Sequence, residues 1–231
     1  MKTIIESDAE YSCELELPCF QQLTTEEIDL VQSGKTQLIF RKGENLTKQG
    51  AFASYVLFLI DGIAKQYIEL DTSKNYNLKL VQPGDFVGLS AIFSKTQYAF
   101  STVAVTDCKA FLIEKSALSN LIKQNGSFGL RLFQKQCEQQ SGLFETLQTV
   151  LKKQMPGRLA ETLLYLREIS YQNKSIFEWL SRKDLAEFAG ISTESTVKLL
   201  KTFEKDGWIA LQEKGIDILE PEKLEFTSKM G

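Results

Sequence analysis

Two short stretches hold the side chains best suited to chemistry. One runs Ser192-Thr-Glu-Ser-Thr-Val-Lys198 and sets Thr193, Glu194, Thr196 and Lys198 within two helical turns; the other is the pair Ser181-Arg182. Hydroxyls, a carboxylate and an ammonium at that spacing offer hydrogen-bond donors and acceptors, which suits recognition of a polar surface. A DNA major groove is such a surface, since every base pair shows a distinct donor and acceptor pattern there. Ser181, Arg182 and Ser192 stand where helices begin, and helix N-termini present donors to an anion such as a phosphate. Thr193 brings a methyl and a hydroxyl, suited to thymine, to phosphate, or to solvent alone.

The rest of the chain excludes much else. It contains no histidine, so Ser-His-Asp and Cys-His catalysis, His-ligated zinc and His-held haem are ruled out. Asp61, Asp85 and Glu44 fall at turn signals and make no acid-base pair, and there is no Gly-rich phosphate loop or nucleophile elbow. An enzyme is not expected, and no catalytic residue, metal ligand or cofactor is assigned. Cys13, Cys19, Cys108 and Cys137 lack the spacing of a disulfide framework, which favours a reducing, cytoplasmic setting. The first 16 residues mix Glu6, Asp8, Glu10 and Glu14 with few apolar side chains, unlike a signal or transit peptide. No apolar run approaches the roughly 20 residues that span a bilayer, so no membrane partner is expected.

The elements that must position the two stretches can be read outward from them. Ser181 with Asp184 three residues on is a capping box, opening a short helix with Leu185, Ala186 and Ala189 inward. Gly190 closes it in a tight turn. Ser192 caps a second helix whose buried face is Val197, Leu200 and Phe203, leaving Thr193, Glu194, Thr196 and Lys198 toward solvent. That is a helix-turn-helix, and the exposed first turns of its second helix are what a major groove receives; the alternative is a ligand-binding protein whose helix-turn-helix serves protein contacts, which sharp salt dependence of DNA binding would argue against. Residues 208–212, a turn at Glu213-Lys-Gly215 and residues 216–218 read as a two-stranded wing. Upstream, Leu159, Leu163 and Leu166 mark a helix over 156–169, followed by a polar loop over 170–175. Between Lys152 and Lys214 there are 11 basic and 9 acidic residues, whereas the whole chain carries a net charge of -3. The balance leans basic where a polyanion would dock.

Leu130, Phe133, Cys137, Gln140, Phe144, Leu147 and Leu151 step by three and four in turn, the seam of a left-handed coiled coil. Such a stripe wants either the same helix of a second copy or the face of its own β domain. Gln140 within it would set register. The helix is predicted to stop at Met155-Pro156-Gly157, which would serve as a hinge. Before residue 116 the pattern is short strands, at 36–40, 55–60, 65–70, 78–81, 102–105 and 110–113, with turns at Lys42-Gly43, Gln49-Gly50, Asp61-Gly62 and Pro83-Gly84-Asp85. The predicted domains are a β domain with an N-terminal helical segment over 1–115, a dimerisation helix over 116–154 and a winged helix-turn-helix over 155–231. The fold class is therefore α+β.

With these residues in view, the stretch 180–211 resembles the helix-turn-helix signature of the Crp/Fnr family of transcriptional regulators. The likeness covers nearly the whole chain: Arg41-Lys-Gly-Glu44, Gln49-Gly50 and Leu59-Ile-Asp-Gly62 are similar to that family's β-roll, and Gln82-Pro-Gly-Asp-Phe-Val-Gly-Leu-Ser-Ala-Ile92 looks like its Fnr branch. The resemblance implies an antiparallel β-roll of the cyclic-nucleotide-binding type, a long dimerising helix and a winged helix-turn-helix. It implies a homodimer that binds an inverted repeat in double-stranded DNA and works with RNA polymerase. Glu194 matches the family's glutamate that accepts from cytosine, although an acid near a helix start is also favoured by the macrodipole. Lys198 stands where the family usually has an arginine reading guanine, and lysine keeps the charge but loses the bidentate fork.

The same resemblance places the effector pocket at Gly88, Leu89, Ser90, Tyr98 and Ala99. Cyclic-nucleotide members have Gly-Glu and Arg-Ser there, so the ribose carboxylate and the phosphate arginine are both missing and cyclic AMP is not expected. An Fnr-like iron-sulfur cluster would draw on Cys13, Cys19 and Cys108, but a further cysteine close before that pair is absent and Cys108 is displaced. Cys137 reads simply as a small apolar seam residue. Haem without a histidine ligand, a redox thiol, another small ligand and no ligand remain open beside the cluster.

Overall fold

The computed structural model describes residues 2–4, 20, 23–71, 74–93, 96–172 and 174–230. The chain divides into two compact units: Met1–Tyr67 with Leu80–Ser141, and Ile68–Lys79 with Gly142–Gly231. Cys13 and Cys19 lie outside the described residues.

Strands β1 (Lys2–Ile4), β2 (Lys35–Phe40), β3 (Asn45–Thr47), β4 (Tyr55–Asp61), β5 (Ala64–Glu69), β6 (Asn75–Val81), β7 (Phe86–Val87), β8 (Ser101–Ala104) and β9 (Cys108–Glu114) form two sheets, ordered β1-β2-β9-β4-β7 and β3-β8-β5-β6. Antiparallel ladders join β2 and β4 to β9, and β3 and β5 to β8. The run Val56-Leu-Phe-Leu59 is unbroken by polar residues because β4 is buried on both faces. Val56 and Phe58 share one core with Phe111 and Ile113 of β9, whereas Leu57 and Leu59 enter a second core with Leu38, Phe40 and Ala110. Alternation along a strand sends neighbours to opposite faces, so continuous hydrophobicity marks a strand covered on both sides. The turn after β4 is made by Gly62 at φ +89°, where a Cβ would come within 2.2 Å of the Asp107 carbonyl oxygen. Only glycine fits that approach.

Helices α1 (Thr25–Ser33), α2 (Lys115–Gln124) and the first half of α3 (Gly126–Lys152) cover the first core. Phe20, Phe58, Phe86 and Phe128 form a chain of aromatic contacts at 4.7–6.1 Å between ring centres, which pins the head of α3 to the sheet. The dimerisation helix predicted over 116–154 is thus two helices. Asn125 separates them: its Oδ1 accepts from Phe128 N at 2.9 Å as a new N-terminus begins, and its Nδ2 donates to Glu27 of α1 at 3.1 Å.

The second unit continues with α4 (Met155–Arg167), β10 (Ser170–Tyr171), β11 (Lys174–Ser175), a 3₁₀ turn at Ile176–Glu178, α5 (Arg182–Ala189), α6 (Thr193–Lys205), β12 (Ile209–Gln212), β13 (Gly215–Ile218) and α7 (Pro221–Met230). Met155-Pro156-Gly157 does not end the central helix, as the sequence suggested, but begins the next. Proline belongs in a first turn, where its missing N–H is not needed, and the non-helical joint is Lys153-Gln154. The polar loop expected over 170–175 is a tight hairpin. Leu159, Leu163, Leu166, Leu185, Leu200, Phe203, Ile209, Ile216 and Leu224 are buried. The wing pairs Ile209 with Ile218 through Gln212 with Gly215. Among the described residues, no helix is long and apolar enough to cross a membrane.

Candidate nucleic-acid interface

α5 starts at a reciprocal capping box: Asp184 N donates to Ser181 Oγ at 3.1 Å, and Ser181 N donates to Asp184 Oδ2 at 2.7 Å. It ends at Gly190, whose φ of +62° turns the chain into the next helix. Ser192 then caps α6, accepting from Ser195 N at 3.0 Å and donating its own proton to Ser195 Oγ at 2.9 Å. Both serine hydroxyls are engaged in holding helix starts. What Ser181 and Ser192 offer a phosphate is therefore the exposed N-terminus each one caps.

Thr193, Glu194 and Lys198 stand on the exposed face as expected. Glu194 and Lys198 are one turn apart and pair with each other, Nζ to Oε1, at 2.7 Å, with both side chains about three-quarters exposed, 77% and 74%. Thr196 does not join them. It is wholly buried, at 0% exposure, and its hydroxyl donates to the Ser192 carbonyl at 3.0 Å. The face was misjudged by one position: Thr196 with Leu200 and Phe203 lines the inner side, while Val197 is only half-buried. Residues at i, i+4 and i+7 share a side of a helix, so 196, 200 and 203 form a truer stripe than one started at Val197.

The same geometry supplies two side chains the sequence reading missed. Lys201 and Lys205 are exposed and continue the line of Glu194 and Lys198 along α6. The signal was the i+7 and i+11 spacing from Glu194. Arg182 is half-buried at the start of α5; burial lowers its guanidinium from the ordinary range, and neighbouring Glu204 acts in the opposite direction. The Glu204 carboxylate also accepts from Leu211 N at 3.1 Å, which ties the end of α6 to the wing.

The seam of α3 has a definite place. The side of α3 facing its own β unit carries Phe128 and Leu132, both buried, with Lys135 Nζ donating to the Gly84 carbonyl at 3.2 Å and Gln139 Nε2 to the Phe86 carbonyl at 3.5 Å. Leu130, Phe133, Cys137, Gln140, Phe144, Leu147 and Leu151 lie on another side, and all of them are exposed. Within the β unit, Leu130, Phe133, Cys137 and Gln140 are therefore not covered by its core.

At the expected effector pocket, Gly88 has φ +81° and precedes the 3₁₀ turn Leu89–Ile92. The ring of Tyr98 lies over it, so close that a Cβ on Gly88 would meet Cε1 at 2.6 Å. The phenol donates to the Tyr55 carbonyl at 2.8 Å. Leu89 is buried, Ser90 half-buried and Ala99 exposed. Gly88 and Tyr98 thus meet in a close ring contact whose phenol is already bonded, whereas Leu89 packs into the first core. Among the described residues at these positions, Gly88, Leu89, Ser90, Tyr98 and Ala99 bring no cationic side chain to an anionic cyclic phosphate. Cys108 is buried, with Sγ donating to the Ile63 carbonyl at 3.3 Å, and burial pushes its thiol up to about 12. Among the described residues no cluster of three or more His, Cys, Asp or Glu side chains is placed to hold a metal ion.

Comparison with known proteins agrees with this architecture. Residues 37–125 match the cyclic nucleotide-binding domain family, and residues 157–226 match the Crp-like helix-turn-helix domain. The chain is 23% identical over 189 residues to the CRP-like cAMP-activated global transcriptional regulator of Mycobacterium tuberculosis, covering 80% of this chain and 84% of that one. It is 24% identical over 196 residues to the anaerobic regulatory protein of Bacillus subtilis, covering 83% and 82%. Among solved structures, FixK2 from Bradyrhizobium japonicum superposes with a TM-score of 0.74 at 19% identity, over 84% of this chain and 96% of that one.

Proposed function

We propose, for a chain that belongs to the Crp/Fnr family of transcriptional regulators, that it works as a cytoplasmic homodimer reading an inverted repeat in duplex DNA. The observation that carries this reading is the exposed first turns of α6. Thr193, Glu194 and Lys198 project from a helix whose start is fixed by Ser192 and whose back is held by Thr196, Leu200 and Phe203. Glu194 accepts from a cytosine amine and Lys198 donates to guanine, while Ser181, Arg182 and Ser192 hold the phosphates around them. Thr196 holds the helix and touches no base.

Two copies are brought together by the stripe from Leu130 to Leu151. Burying large apolar side chains that a single chain leaves in water is what favours association. A two-fold pair of recognition helices meets half-sites about one helical turn apart. The signal enters at the β-roll. The segment that carries Gly84 and Phe86 is bonded to Lys135 and Gln139 of α3, so a change there shifts the helix that forms the seam. Cyclic AMP is not the expected ligand, because Gly88-Leu89 and Tyr98-Ala99 stand where the cyclic-nucleotide members carry a carboxylate for ribose and an arginine for phosphate. RNA polymerase is the expected protein partner of the DNA-bound dimer.

Sedimentation velocity combined with fluorescence anisotropy on a selected inverted repeat tests the reading. A dimer that prefers that repeat to scrambled DNA, with affinity falling steeply as salt rises, is the expected result. A monomer with no duplex affinity at low salt would refute it.

A further inference from the structure

The joint between α3 and α4 is only two residues long, Lys153-Gln154, and Lys153 is held at both ends. Its carbonyl oxygen accepts from Arg158 Nε at 2.9 Å. Its side chain is mostly buried, at 22% exposure, and the ammonium lies 2.9 Å from Glu161 Oε2 of α4 and donates to Ser228 Oγ of α7 at 2.6 Å. Ser228, itself 3% exposed, donates a hydrogen bond in turn to Glu161 Oε2. The second arm of Arg158 reaches the carbonyl of Gly190, in the turn between α5 and α6, at 3.4 Å. One residue at the exit of the central helix is thereby tied to α4, to the last helix of the chain and, through Arg158, to the turn that aims the recognition helix.

We infer that Lys153 is the positioning residue for DNA reading, and that α7 is the clasp that completes it. The inference rests on the DNA-binding function proposed above. The direction in which α4 leaves α3 depends on the few backbone torsions of Lys153 and Gln154. Arg158 fixes the carbonyl of that joint, and the Lys153–Glu161–Ser228 knot fixes its side chain. Turning α4 and the helices packed on it relative to the end of α3 requires these bonds to open together. In a symmetric dimer that angle sets the separation of the two recognition helices, and hence the half-site spacing the protein accepts. Lys153 touches no base and no phosphate in this account; it acts through the placement of α6.

The test uses the full-length dimer and a set of inverted repeats whose centres are lengthened or shortened by one and by two base pairs. Lys153→Met removes the ammonium while keeping the length of the side chain, Ser228→Ala opens the knot on the α7 side, and Lys153→Arg keeps the charge. Thermal unfolding and sedimentation confirm fold and dimer in each variant. Expected are a loss of about tenfold on the preferred spacing for Lys153→Met, near-unchanged binding on the altered spacings, and about threefold for Ser228→Ala, a scale set by the loss of one or two hydrogen bonds to charged groups. Lys153→Arg retains the preference. If the variants lose affinity equally on every spacing, or lose none, Lys153 does not position the reading helices and the inference falls. If the wild type shows no preference for an inverted repeat, it is the DNA-reading proposal that fails.

Discussion

Phe144 gives the sharpest test of the seam on α3. Its side chain is 66% exposed in the single chain, and Leu147 and Leu151 beside it are 53% and 74% exposed. Complete burial of a phenylalanine is worth roughly 1.5–3 kcal/mol, so covering the two-thirds left open contributes about 1–2 kcal/mol per copy. A two-fold interface contains the residue twice, so Phe144→Ala should cost the dimer about 2–4 kcal/mol, one and a half to three decades in Kd. Sedimentation velocity over a dilution series reads this directly, with Glu138→Ala, exposed on α3 but off the stripe, as the control. The fold of each unit should be untouched, because Phe144 supports neither core. An unchanged dimer, or a loss equal to that of the control, would refute the reasoning and leave the stripe without a role in self-association.

Three further outcomes follow from the site and the sheet. Glu194→Ala should flatten base preference at one position of each half-site by about 1–3 kcal/mol, while Lys201→Ala should weaken all duplexes alike and reduce the salt slope by about one per contact; anisotropy titrations against single-base variants at several salt concentrations separate the two, and matching profiles would contradict both. Gly62→Ala should cost more than about 2 kcal/mol, because φ +89° and the Asp107 carbonyl leave a Cβ no room; a thermal midpoint unchanged from wild type would overturn that view of the turn. Because burial raises the Cys108 thiol from 9.0 to about 12, the folded chain keeps a proton there that the unfolded chain loses above its ordinary value. Stability should therefore decline as pH rises from about 9 toward 12; Cys108→Ala should lessen that decline, and an identical alkaline profile in both proteins would show the thiol is not responsible.

Much of the architecture was legible because local and global signals agreed. The capping serines, Gly190 and the apolar spacing of Leu185, Leu200 and Phe203 all point to the same helix-turn-helix, and the structure places each of them so. The strands β2 and β4, with unbroken apolar or β-branched runs, were read to within one residue of their ends, whereas the polar start of β6, Asn75 to Asn77, was not. What escaped was short or indirect. β3 and β7, at three and two residues, are too brief to show a period and exist because neighbouring strands pair with them. α7 buries only Leu224 and Ser228, so its sequence offers no apolar stripe to read. The split at Asn125 depends on a side-chain cap, and a capping residue inside a continuous helical pattern is easily passed over. Thr196 was misplaced because a threonine reads as polar, although its hydroxyl can return to the carbonyl four residues back and leave only a methyl to pack.

On the proposed DNA reading, the contact between Glu194 and Lys198 bears on how the protein would search. With carboxylate and ammonium closed on each other, the tip of α6 carries little net charge, so its hold on an arbitrary stretch of DNA would come from Arg182, Lys201 and Lys205 at the margins. An ion pair this open to water is cheap to part, and a base pair that offers an amine to one partner and an oxygen to the other replaces what each has given up. A base pair of the wrong pattern separates them without that return. On the proposed reading, the helix would keep Glu194 and Lys198 paired while it slides and commit them only at a matching step.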